Sequence, residues 1–300
     1  LVAVSNRRLW LVLLVLPPLF WAGNALVGRA TVGEIPPLAL SFWRWAVALV
    51  IILPFTARDL VTCWPVLWRY RHRVVGLAVV SVAAYNTLLY LAVQTTTAIN
   101  ATLVGTSLPL MVLLLSRFWL GDSIRPRQVA GVLISALGLL AVIARGEPAR
   151  LLSLGFTPGD GLMLLATVCW AFYSVMLKRL PVPVRPFTLL TAQIAIGVVA
   201  ILPLYGWELS QGIGFEPNAW NLGAIFYTAL FASVLAYYFW NEGVVAVGAA
   251  TAGQFTYLIP LFAAVLAVML LGEQFRWYHA LGTALIFVGI GLATTGRRQP

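Results

Sequence analysis

Several polar and aromatic side chains fall at helical spacing inside long apolar stretches of this chain. Ser81 and Tyr85 form an i, i+4 pair on one face, and Tyr85, Asn86 and Tyr90 lie within a turn and a half. Ser233, Tyr237 and Asn241 follow at i, i+4 and i+8, Gln254 and Tyr257 at i, i+3; Trp170, Tyr173 and Ser174 cluster, and Asn24 stands alone. Hydroxyls, carboxamides and aromatic rings donate, accept and stack, which is the chemistry of holding a molecule rather than converting it. No such stretch pairs His with Glu, Ser with His, or two carboxylates, so no catalytic constellation is expected. His72 and His279 lack ligand-spaced partners, so neither a metal nor another cofactor is expected. Taken singly, each polar residue reads as a bond between helices, worth about 0.6–2 kcal/mol, or as an interfacial aromatic. Carried by five helices together, they read as an aromatic-rich polar cavity: Asn24, Tyr85, Asn86, Tyr90, Trp170, Tyr173, Ser233, Tyr237, Asn241, Gln254 and Tyr257.

The elements that must position these residues are membrane spans. Of 300 residues 61% are apolar and 9% charged, with a mean hydropathy of +0.94; a water-soluble domain carries about 25% charged residues. Disorder is excluded by the same hydrophobicity. The net charge of +10 does not mark a nucleic-acid surface, because the basic residues are scattered between apolar runs. Crossing a roughly 30 Å hydrocarbon core takes about 20 helical residues. The runs free of charge predict ten helices, near 9–28, 36–56, 74–94, 98–116, 127–144, 160–178, 186–205, 219–240, 246–270 and 277–295. Gln94-Thr95-Thr96-Thr97 divides the longest run in two. The alternating ten-residue segments of a β-barrel are absent.

Ten crossings put both termini on one side. That side then receives Arg7, Arg8, Arg58, Arg69, Arg71, Arg73, Arg117, Arg125, Arg127, Lys178, Arg179, Arg185, Arg297 and Arg298; the other receives Arg29, Arg145, Arg150 and Arg276. Basic loops are cytoplasmic, so both termini are expected in the cytoplasm. The first span has no small-residue cleavage site and is expected to be retained. Cys63 is expected in a cytoplasmic loop and Cys169 within a span, with no disulfide between them.

Other positions bear on the backbone. Pro109 and Pro260 lie inside helices, where proline frees the carbonyl four residues earlier, those of Gly105 and Thr256. Such carbonyls must face protein or water; they would hold a substrate ammonium and mark a hinge, or simply accompany a kink. Arg44 is the cation within a span, about eight residues or about 12 Å from its outer end. Snorkelling, or a structural place inside the bundle, is preferred over contact with a substrate carboxylate. Glu242, beside Gly243 at a helix end, reads as a solvated loop carboxylate in preference to one that closes a gate or pairs with loop arginines, and Gly131 and Gly282 read as close-packing positions.

The chain repeats itself. Leu120-Gly121-Asp122 returns as Leu271-Gly272-Glu273 at an offset of 151, as do Pro109-Leu110 at Pro260-Leu261, Gly131 at Gly282 and Gly138 at Gly289. Trp21-Ala22 returns as Trp170-Ala171, and Arg29 as Lys178, at 149. Two units, 1–150 and 151–300, hold five spans each, so the second enters the membrane inverted. Inverted repeats about an in-plane pseudo-two-fold are an architecture of secondary transporters with midplane sites; the alternative is a duplication that only builds a stable bundle.

With its prolines and paired Leu-Gly-Asp/Glu turns at matched positions, the chain resembles the EamA-type drug/metabolite transporter superfamily over nearly its whole length. The stretch Tyr238-Phe239-Trp240-Asn241-Glu242-Gly243 with Tyr257-Leu258-Ile259-Pro260 is similar to the aromatic amino-acid exporter branch. The resemblance implies metabolite export across a bacterial inner membrane. Where small multidrug transporters, distant relatives within that resemblance, carry a membrane-embedded Glu, the first helix offers Asn24 and no carboxylate; a nucleotide-sugar carrier would want several buried cations where only Arg44 qualifies. A compact, net-neutral cargo with an apolar body, such as an aromatic or large hydrophobic amino acid, fits the residues. Drugs, nucleotide sugars, or a non-transporting sensor or structural bundle are the alternatives. No partner subunit is needed for a pathway, so a monomer suffices.

Overall fold

The computed structural model describes residues 7–96, 98–144, 146–147, 149–152, 155, 157–271 and 276–294. Ten helices are long and apolar enough to span a membrane: α1 (Arg7–Gly28), α2 (Pro37–Arg69), α3 (Arg71–Ala92), α4 (Leu103–Leu120), α5 (Pro126–Ile143), α6 (Pro158–Arg179), α7 (Pro186–Ser210), α8 (Ala219–Val247), α9 (Ala249–Leu266) and α10 (Trp277–Thr294). No strand occurs among the described residues. Pro37, Pro126, Pro158 and Pro186 open their helices in the first turn, where a missing N–H loses no intrahelical bond. Gly121, with φ of +70°, ends α4, and Gly248, with φ of +92°, is the entire link between α8 and α9. The second Leu-Gly-Glu turn and Arg297 and Arg298 lie outside the described residues.

Three helices outrun their expected ends, α7 by five residues to Ser210. α2 continues through Arg58 and Asp59 to Arg69, 33 residues with Pro54 and Pro65 inside. That is about 50 Å of helix, so its last turns project beyond the hydrocarbon core. There Trp64 and Trp68 are exposed and Arg71 lies over the Trp68 ring at 5.3 Å, an interfacial arrangement. Cys63 therefore sits on this helical extension and not in a loop. α8 likewise runs to Val247, so Glu242 is half-buried within a helix and is not a loop carboxylate. Gly243 is no helix end: it is buried against the Leu14 side chain, where a Cβ would collide.

Contacts between the halves come in reciprocal sets. α4 packs on α6 as α9 packs on α1; α3 packs on α6 and α7 as α8 packs on α1 and α2; α2 meets its counterpart α7, and α5 meets α10. The last pair shows the two-fold most directly. Cβ atoms built on Gly131 and Gly289 would each lie 2.5 Å from the other's carbonyl oxygen, and Gly138 and Gly282 stand in the same relation at 2.8 and 2.6 Å. Lipid tails are as apolar as leucine, so such close approach of backbones, and not exclusion of water, holds these helices together. Ser135 adds a hydrogen bond to the Ile286 carbonyl, 3.3 Å, between positions 151 apart.

Gly131→Ala and Gly138→Ala are expected to lower thermal stability in detergent, each by about 1–3 kcal/mol of overpacking. Gly161→Ala, whose Cβ would meet nothing within 4 Å, is the control and should match or slightly exceed the wild type.

Candidate functional site

Neither proline nor glycine marks the deformation that builds the site. α3 widens into a π-helical segment at Val79–Tyr85, and α8 does so at Leu230–Leu235, the equivalent stretch. An extra residue in a turn strips a carbonyl of its helical N–H. In α3 the Ser81 carbonyl accepts from Asn86 Nδ2 at 3.0 Å and from the Tyr237 hydroxyl at 3.0 Å. In α8 the Ala232 carbonyl, 151 residues on, accepts from Arg44 Nη2 at 2.8 Å and Trp21 Nε1 at 3.1 Å. Each bulge thus recruits a side chain from the opposite half.

Around these carbonyls two polar clusters face each other across the pseudo-axis. The first gathers Asn24, Tyr90 and Ser233 on Arg44. Its Nε donates to Ser233 Oγ at 2.5 Å, and its Nη1 to Tyr90 at 2.9 Å and Asn24 Oδ1 at 3.4 Å; Tyr90 also donates to Asn24 at 3.1 Å. Arg44 is 1% exposed and its guanidinium lies 5.0 Å from the Trp45 ring. The charged head therefore turns into the bundle and does not snorkel. The second cluster joins Tyr173 to Asn241 at 2.6 Å and to Gln193 at 3.4 Å. Its members are the counterparts of the first: Asn24 with Tyr173 and Arg44 with Gln193 at 149, Tyr90 with Asn241 at 151. Asn86 and Tyr237, themselves counterparts, bond to each other at 2.9 Å between the clusters.

An aromatic cluster lies on the same axis. Trp21 and Trp170 meet edge to face with centroids 5.1 Å apart. Around Trp170 stand Tyr85 at 4.8 Å, Tyr237 at 5.1 Å, Tyr173 at 5.2 Å and Trp240 at 5.6 Å, and Trp45 packs on Tyr237 at 5.0 Å. The indole N–H groups of Trp45 and Trp240 and the Gln193 Nε2 are buried here without hydrogen-bond partners. The polar stripe of α8 is thus divided: Ser233 serves Arg44, Tyr237 serves Asn86 and Ser81, and Asn241 serves Tyr173.

Gln254 and Tyr257 fall elsewhere. α4 and α9 break from regular α geometry near their prolines while the helical backbone continues: in α4 Thr106 and Ser107 bond three residues back, to Leu103 and Val104, between segments ending at Gly105 and beginning at Leu108, and in α9 a 3₁₀ turn, Phe255–Tyr257, intervenes. Pro109 and Pro260 lie in the first turn of the second segments, which begin at Leu108 and Leu258, where a missing N–H costs less than in a helix interior. The Tyr257 hydroxyl donates to the carbonyl of Thr106 at 3.2 Å, one residue beyond the expected Gly105, while Thr256 bonds back to Gly253 at 2.7 Å. Gln254 is buried with its Oε1 unpartnered. These residues tie the two broken helices to each other, away from the aromatic cluster.

Three residues that periodicity did not single out also matter. Glu208, 4% exposed near the end of α7, accepts from the first free N–H groups of α2, Leu38 at 3.1 Å and Ala39 at 2.7 Å. Its counterpart at 149, Asp59 of α2, pairs instead with the exposed Arg185 just before α7, at 3.1 Å. Gln193 could have been found from the repeat offset applied to Arg44. A separate polar cavity of about 120 Å³ lies at the end carrying the basic loops, among Arg7, Ser116, Asp122, Arg125, Arg127 and Thr251. No group of three metal-ligating side chains gathers among the described residues.

The EamA-like transporter family profile matches residues 8–144 and again 157–295. The chain belongs to the EamA-like transporter family. It is a multi-pass membrane transporter built of two inverted five-helix repeats. Among relatives of this EamA-like protein, the uncharacterized transporter YyaM of Bacillus subtilis is 26% identical over 290 residues, covering 94% of this chain and 92% of its own. An uncharacterized transporter of Archaeoglobus fulgidus is 27% identical, covering 96% and 98%. The aromatic amino acid exporter YddG of Ancylobacter novellus is 27% identical, covering 94% and 95%. A solved crystal structure superposes with a TM-score of 0.77 at 23% identity, covering 96% and 97%, and shows the same fold.

Tyr90→Phe is expected to destabilise the protein by about 1–3 kcal/mol, because a buried guanidinium N–H and Asn24 Oδ1 each lose a partner. Tyr85→Phe, which keeps the ring against Trp170, should leave the unfolding midpoint nearly unchanged.

Proposed function

We propose that this transporter exports compact, net-neutral amino acids, the aromatic and large hydrophobic ones first, across a bacterial inner membrane by alternating access. The observation that carries the reading is the Trp21–Trp170 cluster on the pseudo-axis, with a polar cluster on either side. Aromatic rings hold an apolar side chain, each pair worth about 0.5–1.5 kcal/mol. Indole and carboxamide donors without partners take its polar end. The name of the Ancylobacter novellus relative supports the same cargo class. The residues proposed to meet substrate are Asn24, Tyr85, Asn86, Tyr90, Trp170, Tyr173, Ser233, Tyr237 and Asn241, joined by Trp21, Trp240 and Gln193; Gln254 and Tyr257, with Pro109 and Pro260, serve the hinge. The units divide between residues 144 and 157, and both termini face the cytoplasm. The protein works as a monomer and performs no chemistry on its cargo.

Rocking follows from the unlike helix-end contacts. Glu208 holds α7 to the start of α2 at the end opposite the basic loops, whereas Asp59 at the basic end reaches only an exposed arginine. In the alternate state the symmetry lets Asp59 take the free N–H groups of α7 while Glu208 lets go. Among the described residues the fully buried carboxylates, Asp160 and Glu208, both serve helix ends. Transport is therefore facilitated or exchanging, driven by the cargo gradient.

Counterflow of a labelled amino-acid panel into liposomes holding the purified protein tests the cargo. Accumulation of phenylalanine, tryptophan or leucine without a pH gradient is expected; movement of a nucleotide sugar and no amino acid, or uptake only under an imposed pH gradient, would refute the corresponding part. Glu208→Gln should favour opening at the end opposite the basic loops by about 5–30-fold, corresponding to about 1–2 kcal/mol. Maleimide labelling of a buried Ser41→Cys from that side reports it, and an unchanged labelling rate counts against the latch.

A further inference from the structure

The internal duplication supplies its own control for the charge at position 44. Arg44 and Gln193 are equivalent, and each faces an equivalent pair, Asn24 with Tyr90 and Tyr173 with Asn241. The second half builds this network from neutral groups, so the fold itself does not require a cation. Burying one nevertheless carries a large desolvation cost unless a counter-charge is supplied. Among the described residues no carboxylate pairs with Arg44; Lys178 pairs with Asp122 and Arg185 with Asp59. All four of its acceptors are neutral, the Asn24 contact at 3.4 Å is the longest, and Nη2, with two hydrogens, makes one bond, to Ala232.

We propose that Arg44 is the residue that binds the carboxylate of the cargo. The two Nη atoms present a fork that fits a carboxylate in bidentate fashion. One cargo oxygen replaces Asn24 Oδ1, the weakest acceptor, on Nη1, and the other accepts from the free Nη2 hydrogen. Trp45 over the guanidinium and the adjoining Tyr237 then receive the apolar body. The pair formed is net neutral, so the charge that is costly in the empty site is compensated when the site is filled. The cargo class narrows to compact monocarboxylates with an apolar body, amino acids among them. This assignment rests on the proposed site but not on the cargo being an amino acid.

Equilibrium dialysis of purified wild type, Arg44→Gln and Arg44→Lys against labelled L-phenylalanine, 3-phenylpropionate and phenylalaninamide tests it. Glutamine is what the second half already carries in this place, so the variant is expected to fold; its unfolding midpoint checks this. Arg44→Gln should weaken both carboxylates by at least about tenfold while leaving the amide unchanged, and Arg44→Lys should fall between. Equal carboxylate binding by wild type and Arg44→Gln, a parallel loss of acid and amide, or no carboxylate binding by the wild type would overturn the assignment. Arg44-dependent binding of 3-phenylpropionate without phenylalanine would uphold it while removing the amino-acid reading.

Discussion

A backbone carbonyl released from its helix inside a bilayer has no water to turn to, and this constraint organises the centre of the protein. Two π-helical segments release two such carbonyls, Ser81 and Ala232, at equivalent places in the halves. Each is satisfied by donors from the other half: Tyr237 crosses to Ser81, and Arg44 and Trp21 cross to Ala232. The bonds that make the interior stable are thus the bonds that join the repeats, and any relative motion of the repeats has to exchange them. A membrane interior penalises an unmade hydrogen bond, so such a centre favours discrete arrangements over gradual deformation.

Duplication provides the frame and divergence provides the chemistry. Glycines at 131, 138, 282 and 289 retain the two-fold where backbones touch. Polar positions have drifted apart: Asn24 against Tyr173, Arg44 against Gln193, Tyr90 against Asn241. Close packing tolerates no added atoms, while a hydrogen-bond network accepts any set of groups that satisfies its members. The axis therefore keeps its geometry and presents a different face to each side. The helix-end contacts of Glu208 and Asp59 differ in the same way, one buried and bidentate, the other exposed.

Much of this was legible in the residues. Charge-free runs located ten spans because the bilayer imposes a length, and the offsets of 149 and 151 exposed the duplication because its glycines and prolines are tied to backbone positions. Helix ends are less legible. Charges at Arg58 and Asp59 looked like a boundary, yet a helix loses nothing by continuing into the interface, and α2 does. Pro109 and Pro260 predict bends; the helices there tighten into i→i+3 turns, and the carbonyl that takes a partner from the other half is that of Thr106 and not Gly105. Eight of the eleven polar and aromatic candidates converge on Arg44 or on the aromatic cluster, with Asn86 between them, while Gln254 and Tyr257 belong to the broken helices.

The amino-acid sequence alone determined that the chain crosses a membrane, how often, and that it does so as an inverted pair, because hydrophobic length and residue recurrence are properties of one dimension. Only the tertiary structure decided which polar groups meet. The π segments carry no glycine or proline to announce them, and they rotate every later side chain in α3 and α8 by an amount that periodicity does not foresee. In α8 that rotation presents the Ser233 hydroxyl and the released Ala232 carbonyl to the Arg44 head of α2, contacts between the repeats that spacing along a single helix does not contain.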